Sequence, residues 1–305
     1  MPIWNVIILA IIQGLAELLP VSSSAHVVVA EKLMGLNPSS PQMTLLLVML
    51  HTGTMFAVIV YFWKIWKQAY FSSMEAFNQF ARQLLWATLL TGILGEALRK
   101  LIERTIFRNS PQAQLEDLFS RLDLIAPALA AAGILIVIAG IYEHRQNSNR
   151  IPGRAIDRYL GIGSVSFGQS TWMGIVQGLA LPFRGFSRSG STISAGMLTG
   201  ATKERAERFS FAMAVLLTPA VVAIEALRLE RAHTAAITAG APLGNTIDVR
   251  ASILTSLLGM VFAFFAGLVA LRWLSSWLES GRWYLFGIYC LVASAVVFYL
   301  HTRGF

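Results

Sequence analysis

Two short stretches of this sequence gather carboxylate, hydroxyl, imidazole and guanidinium groups at spacings that suit chemistry on an anion. In the first, Gln13 and Glu17 lie four residues apart and so share one face of a helix, and Ser22, Ser23, Ser24 and His26 follow at once. A nucleophile, a base and an orienting carboxylate thus fall within a few residues. Ser22, Ser23 and His26 are alternative nucleophiles, and direct attack by water is a further alternative. The second stretch runs Arg184-Gly185-Phe186-Ser187-Arg188-Ser189-Gly190-Ser191-Thr192. Arg188 offers a planar fork of donors that pairs with phosphate oxygens, and Ser187, Ser189, Ser191 and Thr192, with Ser22 and Ser24 opposite, complete a cradle. Gly185 and Gly190 allow the backbone to approach a bound group closely. Glu17 and Gln13 together offer oxygen ligands for one Mg²⁺ or Ca²⁺, the rest of the shell falling to substrate and water. His51, inside an apolar run, reads as a packing residue. The chain contains no Walker A loop, no His-Glu-x-x-His and no Gly-x-Ser-x-Gly, so nucleotide-driven transport and those hydrolase classes lose support.

The elements that must position these groups lie in a membrane. Of the 305 residues, 55% are apolar and only 13% charged, too few to coat a soluble surface. Six runs approach the length of a crossing: Met43–Trp63, Leu84–Leu98, Leu124–Tyr142, Phe209–Leu227, Ile253–Leu274 and Trp283–His301. The N-terminal apolar stretch has no basic flank and no small-residue cleavage site, so it reads as part of the mature chain. Cys290 is the one cysteine, which excludes an intrachain disulfide and leaves it as packing. The net charge of +8 is scattered over connecting loops at Lys64–Arg82, Arg99–Arg121, Arg145–Arg158 and Lys203–Arg208, of which Glu103–Arg121 and Glu143–Arg158 read as aqueous loops. That scatter suits anionic lipid headgroups, not nucleic acid, and leaves orientation open.

Trp4–Leu19 and Thr171–Leu181 are too short to cross, and each ends near a proline, Pro20 or Pro182, before a serine cluster and a second short apolar stretch. They predict two re-entrant helical hairpins whose second helices start near Ser24 and Ser189. Ile11-Ile12-Gln13-Gly14-Leu15-Ala16 also matches Ile175-Val176-Gln177-Gly178-Leu179-Ala180. The fold expected is therefore all-α and polytopic, one integral membrane domain over residues 1–305. Its halves, 1–142 and 159–305, form an inverted repeat joined by a polar loop over 143–158. Broken helices of such repeats meet near the midplane, where their N–H groups bind anions.

Gln13 to His26 resembles the glutamate-rich element and serine–histidine motif of the undecaprenyl-diphosphate phosphatases, bacterial integral membrane enzymes associated with bacitracin resistance. Arg184 to Gly200 is similar to that family's Pro-Gly-x-Ser-Arg-Ser-x-x-Thr motif, and weaker similarity covers His51 through Trp63 and the segment from Arg208. The resemblance implies removal of the terminal phosphate from undecaprenyl diphosphate in the bacterial cytoplasmic membrane, regenerating the monophosphate carrier of cell-wall assembly. It also implies acid–base or metal-binding work for Glu17 with Gln13, a nucleophile or its partner at His26 or Ser23, and a diphosphate clamp at Arg188, Ser187, Ser189 and Thr192. Arg184 departs from the pattern, standing where the family has proline. A transporter or flippase of phosphorylated polyprenol is the alternative reading, and a structural membrane protein a third. Membrane lipids and the polyprenyl diphosphate are the expected partners; the oligomeric state, a homodimer included, is open.

Overall fold

The computed structural model describes residues 1–105, 121–148, 164–238, 248–278 and 282–305. Those residues form ten helices: α1 (Ile3–Glu17), α2 (Ser23–Leu33), α3 (Pro41–Tyr70), α4 (Met74–Thr105), α5 (Leu122–Ser148), α6 (Phe167–Ala180), α7 (Arg188–Leu198), α8 (Lys203–Thr238), α9 (Val249–Leu278) and α10 (Trp283–Thr302). Each half thus runs short, short, long, long, long. All six apolar runs fall inside long helices. Five of those, α3, α5, α8, α9 and α10, are long and apolar enough to cross a membrane. The run Leu84–Leu98 lies in α4, a helix of 32 residues whose polar positions keep it outside that group.

Several helices continue well past their apolar runs. α3 extends to Tyr70 and α4 begins at Met74, so the segment 64–82 holds only a three-residue break and not an aqueous loop. Lys203–Arg208 likewise forms the first turns of α8, and α5 continues through Glu143 to Ser148. Hydropathy marks the part of a helix that meets hydrocarbon; charged residues with good helix propensity carry it onward into the polar zone. Of the expected loops over 103–121 and 143–158, residues 103–105 belong to α4, and 106–120 and 149–158 lie outside the described residues.

The four short helices are bounded by local chemistry. α1 stops at Glu17, three residues before Pro20, because proline cannot continue a helix and restricts the residue before it. α6 starts in a reciprocal cap: Ser166 Oγ accepts from Gln169 N at 3.2 Å, and Gln169 Oε1 accepts from Ser166 N at 2.7 Å. At about 1.5 Å per residue, the 15 and 14 residues of α1 and α6 fall short of a ~30 Å hydrocarbon core.

The first helix of each short pair is seated against a long helix of the other half. α1 packs on α9 where Gly14 meets Ala266, and α6 packs on α4 where Gly178 meets Thr91 and Leu94. A Cβ on Gly14 would lie 2.4 Å from Ala266 Cβ, and one on Gly178 would lie 2.8 Å from Leu94 Cβ. The glycine of each Gln-Gly pair therefore lets two backbones touch, the close packing that membrane helices use without a hydrophobic drive between them.

The outside of the bundle is apolar, with Val60, Phe265, Val269 and Val292 each about 60% exposed (59%, 59%, 64% and 60%), whereas Gln13, Glu17, Ser22, Ser23 and Ser187 are buried. That inside-out polarity is what lipid as solvent requires. The tightest long contact joins α3 and α9, where a Cβ on Gly53 would sit 2.1 Å from the Met260 carbonyl oxygen. Gly53→Ala should lower the thermal unfolding midpoint of the detergent-solubilised chain, by a loss of about 1–3 kcal/mol typical of overpacking; an unchanged midpoint would mean that the two helices are free to part.

Candidate active site

The loops 18–22 and 181–187 meet at the centre of the bundle and are tied together by side chains. Ser22 Oγ and Ser24 Oγ both donate to the carbonyl oxygen of Arg184, at 2.6 and 2.8 Å. Arg188 Nη2 reaches across from α7 to Glu17 Oε1 at 2.5 Å. The arginine that departs from the family pattern therefore serves the opposite loop through its backbone.

Both loops end in the same unusual residue. Ser22 (φ 65°, ψ 78°) and Ser187 (φ 46°, ψ 86°) are the described non-glycine residues with positive φ, and each caps the second helix of its pair. A left-handed L-residue costs about 1–2 kcal/mol, and such strain collects where the surrounding structure uses the geometry. Here it turns the Ser22 carbonyl toward Ala25 N (3.1 Å) and the ring Nδ1 of His26 (2.8 Å). The Ser187 carbonyl takes Ser191 N (2.8 Å) and Ser191 Oγ (2.5 Å). Ser22→Ala and Ser22→Gly both lose the hydroxyl, but only glycine relaxes into positive φ without a Cβ. The glycine variant should be the more stable by about 1 kcal/mol in thermal unfolding; equal midpoints would show that the turn holds no strain.

Glu17 is the hub. It is 4% exposed. Its Oε2 accepts from Ser23 Oγ at 2.5 Å and from Gln13 Nε2 at 2.8 Å, and His51 Nε2 stands 3.3 Å away. His51 Nδ1 lies 2.8 Å from the Leu47 carbonyl, which can only accept, so that nitrogen carries a proton. One further proton, on Nε2 or on the carboxylate, makes the contact with Glu17 a hydrogen bond. His51, expected to be packing, is thus part of the cluster. Its lone position inside an apolar run was the available signal, but 34 residues of sequence separate it from Glu17 and only the folding of α3 beside α1 joins them.

Arg188 uses Nη2 on Glu17, while its Nη1 is buried with no hydrogen-bond partner. A buried guanidinium nitrogen aimed into a polar centre is a donor in want of an anion. Gln13 Oε1 is likewise buried and accepts nothing.

The remaining cradle hydroxyls divide. Ser191 Oγ donates to the carbonyls of Phe186 and Ser187, both at 2.5 Å, and Thr192 Oγ1 bonds the Arg188 carbonyl at 2.8 Å and Ser210 Oγ at 2.5 Å. Ser191 holds the loop in shape, and Thr192 ties α7 to α8. Ser187 Oγ caps α7 by accepting from Gly190 N at 3.2 Å, and Ser189 is buried beside it at the helix start. The glycines approach protein and not a ligand: a Cβ on Gly185 would lie 2.2 Å from the Ile125 carbonyl, and one on Gly190 would lie 2.9 Å from the Pro20 carbonyl of the opposite loop. Cys290 is fully buried with its Sγ 3.5 Å from that same Pro20 carbonyl.

His26 stands to one side. Its Nε2 lies 2.6 Å from the hydroxyl of Tyr289 on α10, and the two ring planes are nearly parallel with centroids 5.7 Å apart. Tyr289 is a second participant that sequence reasoning passed over, since it is one aromatic in an apolar span. Both residues line an apolar cavity of about 760 Å³ between α1 and α10, walled by Ile12, Leu15, Leu19 and Phe286.

A buried carboxylate that holds a serine hydroxyl and an arginine with an unused donor, at the joined starts of two helices, is equipped to bind and attack a phosphate. The family model described as "Bacitracin resistance protein BacA" matches residues 6–296. The chain belongs to the BacA family. It is 53% identical over 298 residues to undecaprenyl-diphosphatase 2 of Acinetobacter baylyi, covering 97% of each chain. It is also 31% identical over 311 residues to undecaprenyl-diphosphatase 2 of Burkholderia ambifaria (98% of this chain, 96% of that one), and 32% identical over 304 residues to undecaprenyl-diphosphatase 1 of Burkholderia pseudomallei (96% and 95%). These BacA-family relatives match along nearly their whole length, so both loops and the helices that hold them fall within the shared region.

Proposed function

We infer that this protein hydrolyses undecaprenyl diphosphate to the monophosphate lipid and inorganic phosphate. The observation that carries this is the Ser23–Glu17–Arg188 contact across the two loops, in a chain 53% identical end to end to an undecaprenyl-diphosphatase. The relatives' names give the transporter reading no support. In a bacterial cytoplasmic membrane the reaction would return the lipid carrier to cell-wall assembly.

In this reading the isoprenoid tail lies in the apolar cavity between α1 and α10, and the two phosphates point inward past His26. The terminal phosphate takes the free donor of Arg188 and the first N–H groups of α2 and α7. Ser23 is favoured as nucleophile over Ser22 and His26, because only its hydroxyl donates to the carboxylate, whereas Ser22 donates to Arg184 and both His26 nitrogens are engaged elsewhere. Its oxygen attacks the terminal phosphorus, its proton passes to Glu17, and the bridging P–O bond breaks. The monophosphate lipid leaves as an anion beside His26. Water then cleaves the phosphoserine, giving a proton to the unprotonated Nε2 of His26, while Glu17 returns its proton to the departing Ser23 oxygen and inorganic phosphate leaves. The two halves act as an inverted repeat, each supplying one strained serine and one helix start.

Among the described residues no three His, Cys, Asp or Glu side chains cluster as a metal site. Gln13 Oε1, buried and unpartnered, and a Glu17 oxygen one turn away nevertheless offer the hard oxygen donors that Mg²⁺ or Ca²⁺ takes. Such an ion would screen the diphosphate charge, with substrate oxygens and water completing its shell.

The test is phosphate release from undecaprenyl diphosphate by the purified full chain in detergent, with Ser23→Ala alongside and with EDTA followed by added Mg²⁺ or Ca²⁺. Release by wild type and a loss of about 100-fold or more in the variant are expected. A folded wild type that releases nothing under any metal would refute the reading, and full activity in EDTA would remove the cation from it.

A further inference from the structure

His26 is held at both ring nitrogens, by partners from different parts of the chain. Nδ1 faces the Ser22 carbonyl at 2.8 Å, and a carbonyl can only accept, so Nδ1 carries a proton. In the neutral ring Nε2 is then an acceptor, and the Tyr289 hydroxyl at 2.6 Å donates to it. The two ring planes are nearly parallel, at 11°, with centroids 5.7 Å apart, so the phenol meets the imidazole through its hydroxyl. Tyr289 is 47% exposed, and it looks into the apolar cavity beside Ile12, Leu15 and Leu19.

We propose that Tyr289 is a positioning residue for the reaction: with the Ser22 carbonyl it locks His26 as the Nδ1–H tautomer and keeps the Nε2 lone pair turned toward the cavity. The two restraints act on opposite ends of the ring: the Ser22 carbonyl selects Nδ1 for the proton, and the Tyr289 hydroxyl, by donating, disfavours every form that is protonated at Nε2. The half-exposed phenol is also the part of the pair that an incoming lipid can push aside, since Ser22 belongs to the strained turn and cannot yield without moving the loop. Once the hydroxyl is displaced, Nε2 faces the site as an acceptor ready to take a proton from water. This rests on the reading that His26 takes part in hydrolysis, and Ser22 gains a second duty through its carbonyl.

Tyr289→Phe keeps the aromatic ring and removes only the hydroxyl, so it separates the lock from packing. The full chain would be labelled with [¹⁵N]histidine in detergent, and the His26 signals identified among those of the five histidines by their loss in His26→Asn. Wild type should show one protonated and one unprotonated nitrogen for His26. In Tyr289→Phe both signals should move toward tautomer exchange, and kcat should fall roughly 10- to 100-fold with KM changed far less, as when the outer partner of a functional histidine is removed. Unmoved ¹⁵N signals would overturn the lock. Moved signals with unchanged kcat would overturn the role in the reaction. A wild type that releases no phosphate would instead sink the phosphatase reading, while the ¹⁵N comparison still decides the lock.

Discussion

Arg188→Lys should release phosphate from undecaprenyl diphosphate at about one hundredth of the wild-type rate or less, although the charge is kept. The reason is geometric. Arg188 spends one nitrogen on Glu17 at 2.5 Å and holds another, buried and unpartnered, for the substrate. A lysine presents one ammonium, which the buried carboxylate will claim, and no second planar donor remains for the phosphate. Stability should change little, because the ion pair survives, so thermal unfolding in detergent separates the chemical effect from misfolding. Phosphate release within about threefold of wild type would remove Arg188 from the clamp.

Glu17→Gln should cost both activity and stability. The carboxylate faces four groups, Ser23 Oγ, Gln13 Nε2, His51 Nε2 and Arg188 Nη2, and an amide has only one oxygen to offer them. Its NH₂ must point at a donor. The Ser23 hydroxyl loses the acceptor for its proton, and phosphate release should fall by about 10²–10⁴. Breaking one partner of a buried pair typically costs about 3–5 kcal/mol, here reduced because Arg188 is 21% exposed. The double variant Glu17→Gln/Arg188→Met should recover part of that stability and none of the activity. Recovery of neither would place the damage outside the ion pair, and near-normal turnover in the single variant would refute Glu17 as the base.

Much of this was legible before any coordinates. The hydropathy of the six runs, the prolines after two short apolar stretches and the serine clusters were enough to read an all-α membrane fold with broken helices, and the second helices of the two pairs begin within a residue of the positions expected. Helix ends were read less well: α3, α5 and α8 continue beyond their apolar runs, since hydropathy reports the solvent around a helix and not its hydrogen bonds. Among the site residues, Glu17, Ser23 and Arg188 announced themselves as polar groups at apolar depth. Ser191 and Thr192 looked the same in sequence, yet the hydroxyl of Ser191 is spent on the loop's own carbonyls and that of Thr192 on α7 and Ser210.

The sequence by itself determined the medium, the helical class and the two places where polar backbone enters it, because each follows from composition and local spacing. Only the tertiary structure decided which groups meet. His51 joins Glu17 through the packing of α3 on α1, Tyr289 joins His26 across 263 residues, and the Arg184 carbonyl receives two serines from the other half. Those contacts depend on where whole helices are seated, at glycines such as Gly14 and Gly178 that admit a neighbouring backbone. Seating of that kind is a property of two complementary surfaces, and no local pattern in either one contains it.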